Sequence, residues 1–319
     1  MVTRVTKLLN IEHPVLQGGM AWVADAGLAA AVSEAGGLGI IAGGAAPADA
    51  IRAEIRKAKE LTDKPFGLNI MLMSPFADDI AKLVAEEKVP VVTTGAGSPG
   101  KFMEGWKAAG AVVIPVIPSV AIARRMERMG ADAVIAEGTE SGGHIGESTT
   151  MSLVPQVVDA LSIPVIAAGG IADGRGMAAA LCLGAEGVQC GTAFLVASEC
   201  SIHADYKAKV LASGDTDTVV TGRSVGRPVR SLKTPFTRQF SEMEKEGATA
   251  DQLEELAAGS LRRAVKEGDL QGGTFMAGQV AGLVKKEATC RQIIAEMVEA
   301  AARTLEQRSK YVSGWISLS

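Results

Sequence analysis

The sequence predicts an α/β chain folded as a (β/α)8 TIM barrel with a second, smaller and mainly helical domain. Three observations carry this. Eight short apolar runs start 21 to 31 residues apart, the pace of a strand, a helix and two short loops. The runs are apolar throughout rather than alternating, as strands covered on both faces are. Glycine is spread over many strand ends instead of being gathered in one first turn, which favours a barrel over a doubly wound sheet.

The runs are Val15 to Gly19, Gly37 to Ile41, Phe66 to Met71, Val91 to Ala96, Val112 to Ile117, Ala133 to Glu137, Pro164 to Ile171 and Gly187 to Thr192. Helical spacing fills the intervals: Ile51, Ile55 and Ala58 fall at i, i+4, i+7, as do Phe76, Ile80 and Leu83, continued by Val84. Ala109-Gly-Ala, Met129-Gly-Ala and Leu183-Gly-Ala each end a helix just before a strand, with glycine suited to the C′ position; Ala35-Gly-Gly is a looser version. After about residue 196 the pattern changes. Residues 221–240 carry Arg223, Arg227, Arg230, Lys233 and Arg238 and no acidic residue, and residues 242–268 are strongly charged with helical patterning at Leu253, Leu256 and Leu261. Thr289-x-x-Gln292 has the form of a capping box opening a last helix, whose apolar face is Ile294, Met297, Ala301 and Leu305. The expected division is a barrel of residues 1–196 plus about 291–319, with a smaller helical domain of residues 197–290 over the active site.

An apolar content of 47% and a net charge of −4 describe a soluble globular chain and argue against nucleic-acid binding, which usually needs a basic face. No signal peptide is legible, and the longest apolar stretch, Ala111 to Ala123, is short and broken by Pro115 and Pro118, so no membrane association is expected. Cys182, Cys190, Cys200 and Cys290 form no Cys-x-x-Cys pair, so no metal site is expected. They read as reduced, buried thiols of a cytoplasmic protein.

In barrel enzymes the site lies at the C-terminal ends of the strands, often with a phosphate after strands seven and eight. Those ends read Ala167-Ala-Gly-Gly-Ile171 and Gln189-Cys-Gly-Thr192. Backbone amides at Gly169, Gly170, Gly191 and Thr192 are candidates to hold a dianion, although the same glycines would also serve tight turns. Gly18-Gly-Met20 closes strand one, Asn69 lies in strand three with an amide suited to an imide edge, and Thr94-Gly-Ala-Gly closes strand four. Glu137 ends strand six as a candidate buried carboxylate, for ribityl hydroxyls or for a backbone amide. His144 stands among Gly142, Gly143 and Gly146, after strand six, with little helix or core to belong to. It is the catalytic candidate; His13 and His203 read as structural. Gly95-x-Gly-x-x-Gly100 matches a dinucleotide pattern but is interrupted by Pro99 and is discounted for want of a strand–helix context.

These residues resemble a known family. Gln17-Gly-Gly-Met-Ala-Trp22, Ala35-Gly-Gly-Leu-Gly39, Asp63-Lys-Pro-Phe-Gly-x-Asn69, Thr93-Thr-Gly-Ala-Gly97, Gly142-Gly-His144, Ala167-Ala-Gly-Gly-Ile-Ala172 and Met276-Ala-Gly-Gln279 look like the FMN-dependent enoyl-acyl-carrier-protein reductases of bacterial fatty-acid synthesis, which share a superfamily with the nitronate monooxygenases. The resemblance implies FMN held by Gly18, Gly19, Met20, Asn69, Glu137, Gly143, Gly169, Gly170, Gln189, Gly191 and Thr192. It further implies His144 as the catalytic residue and Met276 and Gln279 beside the substrate. NADH or NADPH as hydride donor, an acyl-carrier-protein thioester as substrate, a homodimer and a monovalent cation are implied with it. One position departs from the family pattern: Ala193 follows the Gly-Thr of strand eight where arginine is usual, leaving a phosphate to the backbone amides. The basic stretch from Arg223 to Arg238 suits an acidic carrier protein, or is a solvated surface. The alternatives are a nitronate monooxygenase and a non-catalytic barrel that binds a phosphorylated metabolite.

Overall fold

A computed structural model describes residues 1–44 and 46–316. In chain order the strands are β1 (Val15–Gln17), β2 (Gly39–Gly43), β3 (Phe66–Met71), β4 (Val91–Gly95), β5 (Val112–Ile117), β6 (Val134–Glu137), β7 (Gly143–His144), β8 (Val165–Ala168), β9 (Gly187–Cys190), β10 (Thr218–Thr221) and β11 (Val229–Leu232). The helices are α1 (Arg4–Leu9), α2 (Ala26–Glu34), α3 (Ala48–Leu61), α4 (Ala77–Glu86), α5 (Gly100–Ala108), α6 (Val120–Arg128), α7 (Thr150–Ala160), α8 (Gly174–Cys182), α9 (Thr192–Leu195), α10 (Ala204–Ala212), α11 (Pro235–Lys245), α12 (Ala250–Ala257), α13 (Ser260–Glu267) and α14 (Cys290–Ile316). Eight parallel strands run in the order β1-β9-β8-β6-β5-β4-β3-β2, and a bridge between Leu16 and Leu38 brings the two ends together. This is the (β/α)8 barrel, and the predicted runs fall on its strands within a few residues.

The two apolar faces of each run have separate destinations. Val5, Leu9, Leu16, Leu38, Ile40, Val91, Ile114, Ile135 and Ile166 form one cluster inside the barrel, which α1 plugs from below with Val5 and Leu9. Their neighbours in sequence, such as Ile41, Leu68 and Val92 on one side and Val134, Val165 and Val188 on the other, pack outward under the helices. Alternation along a strand is what sends successive side chains to opposite faces.

Closure is thinnest between β1 and β2. There the Gln17 side chain, fully buried, accepts from the Ile40 amide and donates to the Ile40 carbonyl, both at 3.2 Å. A side-chain amide thus stands in for a ladder rung at the seam.

Helix ends follow the sequence pattern. Gly36, Gly110, Gly130 and Gly184 all adopt positive φ at helix C-termini, a conformation glycine reaches without a Cβ clash. Thr289 and Gln292 exchange their capping bonds at 3.2 and 2.9 Å, and α14 lays Ile294, Met297 and Ala301 into the barrel's outer cluster. At Gly174 a Cβ would lie 2.4 Å from the Ala301 amide nitrogen, so α8 and α14 touch backbone to backbone.

Residues 197–290 are rich in helix and add an antiparallel ribbon, β10 with β11. Tyr206, Leu232, Ala264 and Phe275 share the barrel's outer cluster, whereas Phe236, Phe240 and Leu253 form a small separate one. The pattern of Leu253, Leu256 and Leu261 belongs to two helices, broken at Gly259 with φ +69°.

Two expectations need correction. Cys182 is exposed, unlike the other three cysteines, because α8 turns its position 182 outward. The Gly95-x-Gly-x-x-Gly100 motif does lie between a strand, β4, and a helix, α5, with Pro99 at the helix N-cap. Leu305, partly buried, packs against the same cluster as Ile294, Met297 and Ala301, as expected. His203 caps α10 by accepting from the Asp205 amide at 3.2 Å, in keeping with a structural role, while buried His13 Nδ1 has no hydrogen-bond partner. Among the described residues no helix is long and apolar enough to cross a membrane.

Replacing Gln17 with Ala strips both bonds from a buried peptide group at the seam, which costs about 2–4 kcal/mol. Urea unfolding should show a midpoint lowered accordingly; an unchanged midpoint would mean that the strand ladder alone closes the barrel.

Candidate active site

Alternation along the strands decides what faces the barrel mouth. Continuing inward from Ile135 on β6, from Ile166 and Ala168 on β8, and from the outward-facing Leu68 and Ile70 on β3, the interior positions at the C-terminal ends are Glu137, Gly170 and Asn69. Gln189 lies between outward Val188 and Cys190 and joins them. The polar residues predicted for the site therefore meet in one place because the strand period brings them there.

Glycines let the backbone close around them. A Cβ on Gly18 would lie 3.2 Å from the Gln189 side chain, and one on Gly19 would lie 2.2 Å from Asn69 Cβ, so the end of β1 rests directly on these two amides. Asn69 Oδ1 accepts from the Thr93 hydroxyl at 2.9 Å, which orients its amide. Met20 sits beside Gly191, where a Cβ would meet its Sδ at 3.4 Å. Gly169 and Gly170, with φ of +85° and +71°, form a turn that side-chain-bearing residues rarely adopt.

Glu137 is half-buried at the mouth, and desolvation pushes its carboxyl up to about 7. Beside it the buried Ser141 hydroxyl offsets part of that rise, yet makes no well-formed hydrogen bond to any group. A carboxyl whose ionisation is raised to near neutrality and a hydroxyl without a well-formed hydrogen bond, together in a glycine-lined mouth, fit the hydroxyl-rich chain of a flavin nucleotide. Gly95, with nothing within 4 Å of where a Cβ would stand, leaves open space for a flat ring. The residues present thus suit FMN.

His144 is not in a free loop. Gly143 and His144 form the short β7, which pairs antiparallel with β11 through Gly143 opposite Arg230 and His144 opposite Val229. Among the described residues no group hydrogen-bonds the His144 ring. The ring is exposed, yet partial desolvation and the nearby Arg227 cation lower its pKa, so the neutral imidazole is favoured.

Met276 to Gln279 cross the same region. Gly278 N–H donates to the Thr192 hydroxyl and Gln279 N–H to the Glu140 carbonyl, both at 2.9 Å. Met276 Sδ lies 3.5 Å from where a Gly143 Cβ would stand, and the buried Tyr206 hydroxyl fixes the Met276 carbonyl at 2.7 Å. Gly142 must be glycine here, since a Cβ would lie 2.6 Å from the Ala277 carbonyl carbon.

Several contributors escaped the sequence reading. Glu140 accepts from the Thr150 amide and hydroxyl and holds the loop after β6 against α7. Arg230, read as a surface cation, is 7% exposed. It donates to the Thr139 carbonyl at 3.2 and 3.1 Å and to the Thr218 hydroxyl at 3.1 Å. It is a corrected member of the basic stretch: it braces the loop and cannot meet a partner. Arg223 and Arg227 are exposed and pair with Glu147 and Glu254 at 2.7 and 3.0 Å.

Comparison with known proteins places the site in a lineage. The profile described as nitronate monooxygenase matches residues 2–300. The structure of FabK from Thermotoga maritima is 56% identical, with a TM-score of 0.96 over 98% of this chain and 99% of that one. A nitroalkane oxidase from Streptomyces ansochromogenes is 30% identical, with a TM-score of 0.86 over 96% of this chain and 99% of that one. An indene-carboxyl-CoA dehydrogenase from Mycobacterium tuberculosis is 38% identical in sequence over 97% of this chain and 99% of its own.

The Glu137 shift gives a test with its sign fixed. A carboxyl raised in the fold binds more protons than in the unfolded chain between pH 4.5 and about 7, so stability falls as pH rises through that window. In cofactor-free protein, Glu137→Gln should be about 3 kcal/mol more stable than the parent at pH 8 and close to it near pH 4.5, read by thermal melts; parallel pH profiles would place the carboxyl in a polar setting instead.

Proposed function

The chain belongs to the nitronate monooxygenase family, and from that membership and the site we propose that it is an FMN-dependent NAD(P)H oxidoreductase that reduces trans-2-enoyl thioesters carried on acyl carrier protein. The observation that carries the reading is the match to FabK, at 56% identity against 30% for the nitroalkane oxidase, over nearly the whole chain in both cases. The name of the Mycobacterium relative points the same way in one respect, since its substrate is also a thioester, of coenzyme A.

Bound FMN would relay hydride from the nicotinamide to the β-carbon of the enoyl chain. Gly18, Gly19, Met20, Asn69 and Gln189 would hold its ring end, Glu137 and Gly143 its ribityl chain, and the amides of Gly169, Gly170, Gly191 and Thr192 its phosphate. The last four lie at the ends of β8 and β9, where barrels present backbone donors to dianions. Met276 and Gln279 would line the acyl pocket beside β7. Glu137 enters as a carboxyl that is protonated in part near neutral pH, able to donate to a hydroxyl as well as to accept from one.

His144 faces the growing charge. Reduction of the double bond puts negative charge on the thioester oxygen, and a donor positioned there lowers the barrier most. The lowered pKa of His144 keeps the ring neutral, with one N–H to donate. That suits a hydrogen bond to the oxygen better than outright transfer of a proton to the α-carbon. The exposed Arg223 and Arg227 would meet the acidic carrier; their present pairs are surface pairs worth little and yield to a stronger partner. A homodimer, a monovalent cation and a cytoplasmic setting complete the proposal.

Nitronate oxidation is the second reading, favoured by the family profile itself. NAD(P)H oxidation driven by a crotonyl thioester, against oxygen uptake driven by an alkyl nitronate, separates the two. His144→Ala should keep the flavin absorption spectrum and lose at least about a hundredfold in enoyl-thioester turnover; undiminished turnover would remove His144 from the reaction.

A further inference from the structure

A second cleft lies away from the barrel mouth. It has a volume of about 360 Å³, lies between the β10–β11 ribbon and the start of α11, and is lined by Val219, Lys233, Thr234, Thr237, Arg238 and Ser241. Lys233 and Arg238 are exposed. Among the described residues neither side chain has an ion pair or hydrogen bond, although the rest of the exposed basic stretch, Arg223 and Arg227, is paired. No acidic side chain lines the cleft.

The ribbon behind the cleft also holds a buried polar group without a partner. Ser231 is 1% exposed, and its hydroxyl has no partner. It stands directly across from Val219, which lines the cleft, and two residues before Lys233, which follows the end of β11, so it lies behind the lining residues on the same side of the ribbon. Thr234 and Thr237 cap the helix start with each other at 2.9 and 3.2 Å, which leaves the positive end of α11 oriented but closed by its own hydroxyls. Charge in the cleft is therefore supplied by the two free cations.

Register connects the cleft to the active site. His144 pairs opposite Val229, and Val229, Ser231 and Lys233 share one face, so His144 and Lys233 stand along the same side of the sheet. Lys233 follows directly on β11, four positions from Val229, roughly 13 Å at the usual rise of an extended chain. A long, thin substrate with its reactive end at His144 would reach the cleft with its far end.

We infer that this cleft binds the phosphate of a pantetheine arm, the group shared by carrier-protein and coenzyme A thioesters, and so sets the preference for arm-linked substrates. Lys233 and Arg238 would take the phosphate charge, with Ser241 donating from the wall. The inference rests on the thioester reading above.

The test compares crotonyl-phosphopantetheine with crotonyl-pantetheine, which differ only in the phosphate, on the FMN-loaded protein. The expected result is a KM about tenfold lower for the phosphorylated thioester, near 1.4 kcal/mol, with the ratio collapsing toward one in the Lys233→Ala, Arg238→Ala double variant. Lys233→Arg should retain most of the ratio. A ratio of one in the parent protein, or a full ratio in the double variant, would overturn the inference. Thermal shift supplies a second arm that needs no turnover: phosphopantetheine should stabilise the parent more than pantetheine, and the difference should vanish in the double variant. Inorganic phosphate stabilising the parent as much as phosphopantetheine would assign the cleft to free anions and overturn the arm. If no enoyl thioester is reduced but the thermal difference holds, the functional reading fails while the cleft assignment stands.

Discussion

Gly143 and His144 hold their place because they pair with Arg230 and Val229, residues far along the chain. The pairing depends on a buried cation. Arg230 would be costly to bury without partners, and its guanidinium is met by the Thr139 carbonyl and the Thr218 hydroxyl. Burial and the Arg223 cation lower its pKa, the electrostatic mark of that desolvation. One side chain therefore ties the loop after β6 to the ribbon that follows the barrel. The position of His144 over the mouth, the closeness of Met276 to Gly143 and the side of the sheet that faces the second cleft are all set by that tie.

Below this roof, the mouth is a consequence of barrel geometry. Inward-pointing positions are apolar in the lower part and turn polar only at the C-terminal ends, where Asn69, Glu137 and Gln189 succeed Ile40, Ile135 and Ile166 as neighbours of the interior. The core contributes stability where water is excluded, and polar groups appear where a ligand can satisfy them. Glycine does the remaining work at two kinds of position: Gly19, where a side chain would collide with Asn69, and Gly169, where φ is positive. Neither position tolerates a Cβ without moving the groups around it.

Much of this was legible in the chain. The eight runs, the helix-ending glycines and the capping box at Thr289 are local signals, each written in residues close in sequence, and the structure realises them. Asn69, Glu137 and Gln189 were also accessible, since the period of a strand and the place of its end are enough to aim a side chain. Arg230 was misread because a cation in a run of cations looks solvated, and its burial comes from a loop some ninety positions away that accepts its hydrogen bonds, as the separation of 91 for Arg230 and Thr139 records. Ser231 was unreadable for the same reason: its burial depends on what distant segments pack over the ribbon.

By itself, then, the sequence determined the barrel, its strand ends and the residue types gathered at them, because those follow from short-range periodicity and from what glycine and polar groups do at the end of an apolar run. Only the tertiary structure decided that His144 belongs to a strand rather than a loop, that one arginine of the basic stretch is a buried brace while Lys233 and Arg238 stay unpaired among the described residues, and that a cleft shares a sheet face with His144. Those facts depend on which distant backbone groups meet, and strand pairing between remote segments leaves no periodic trace in either segment alone.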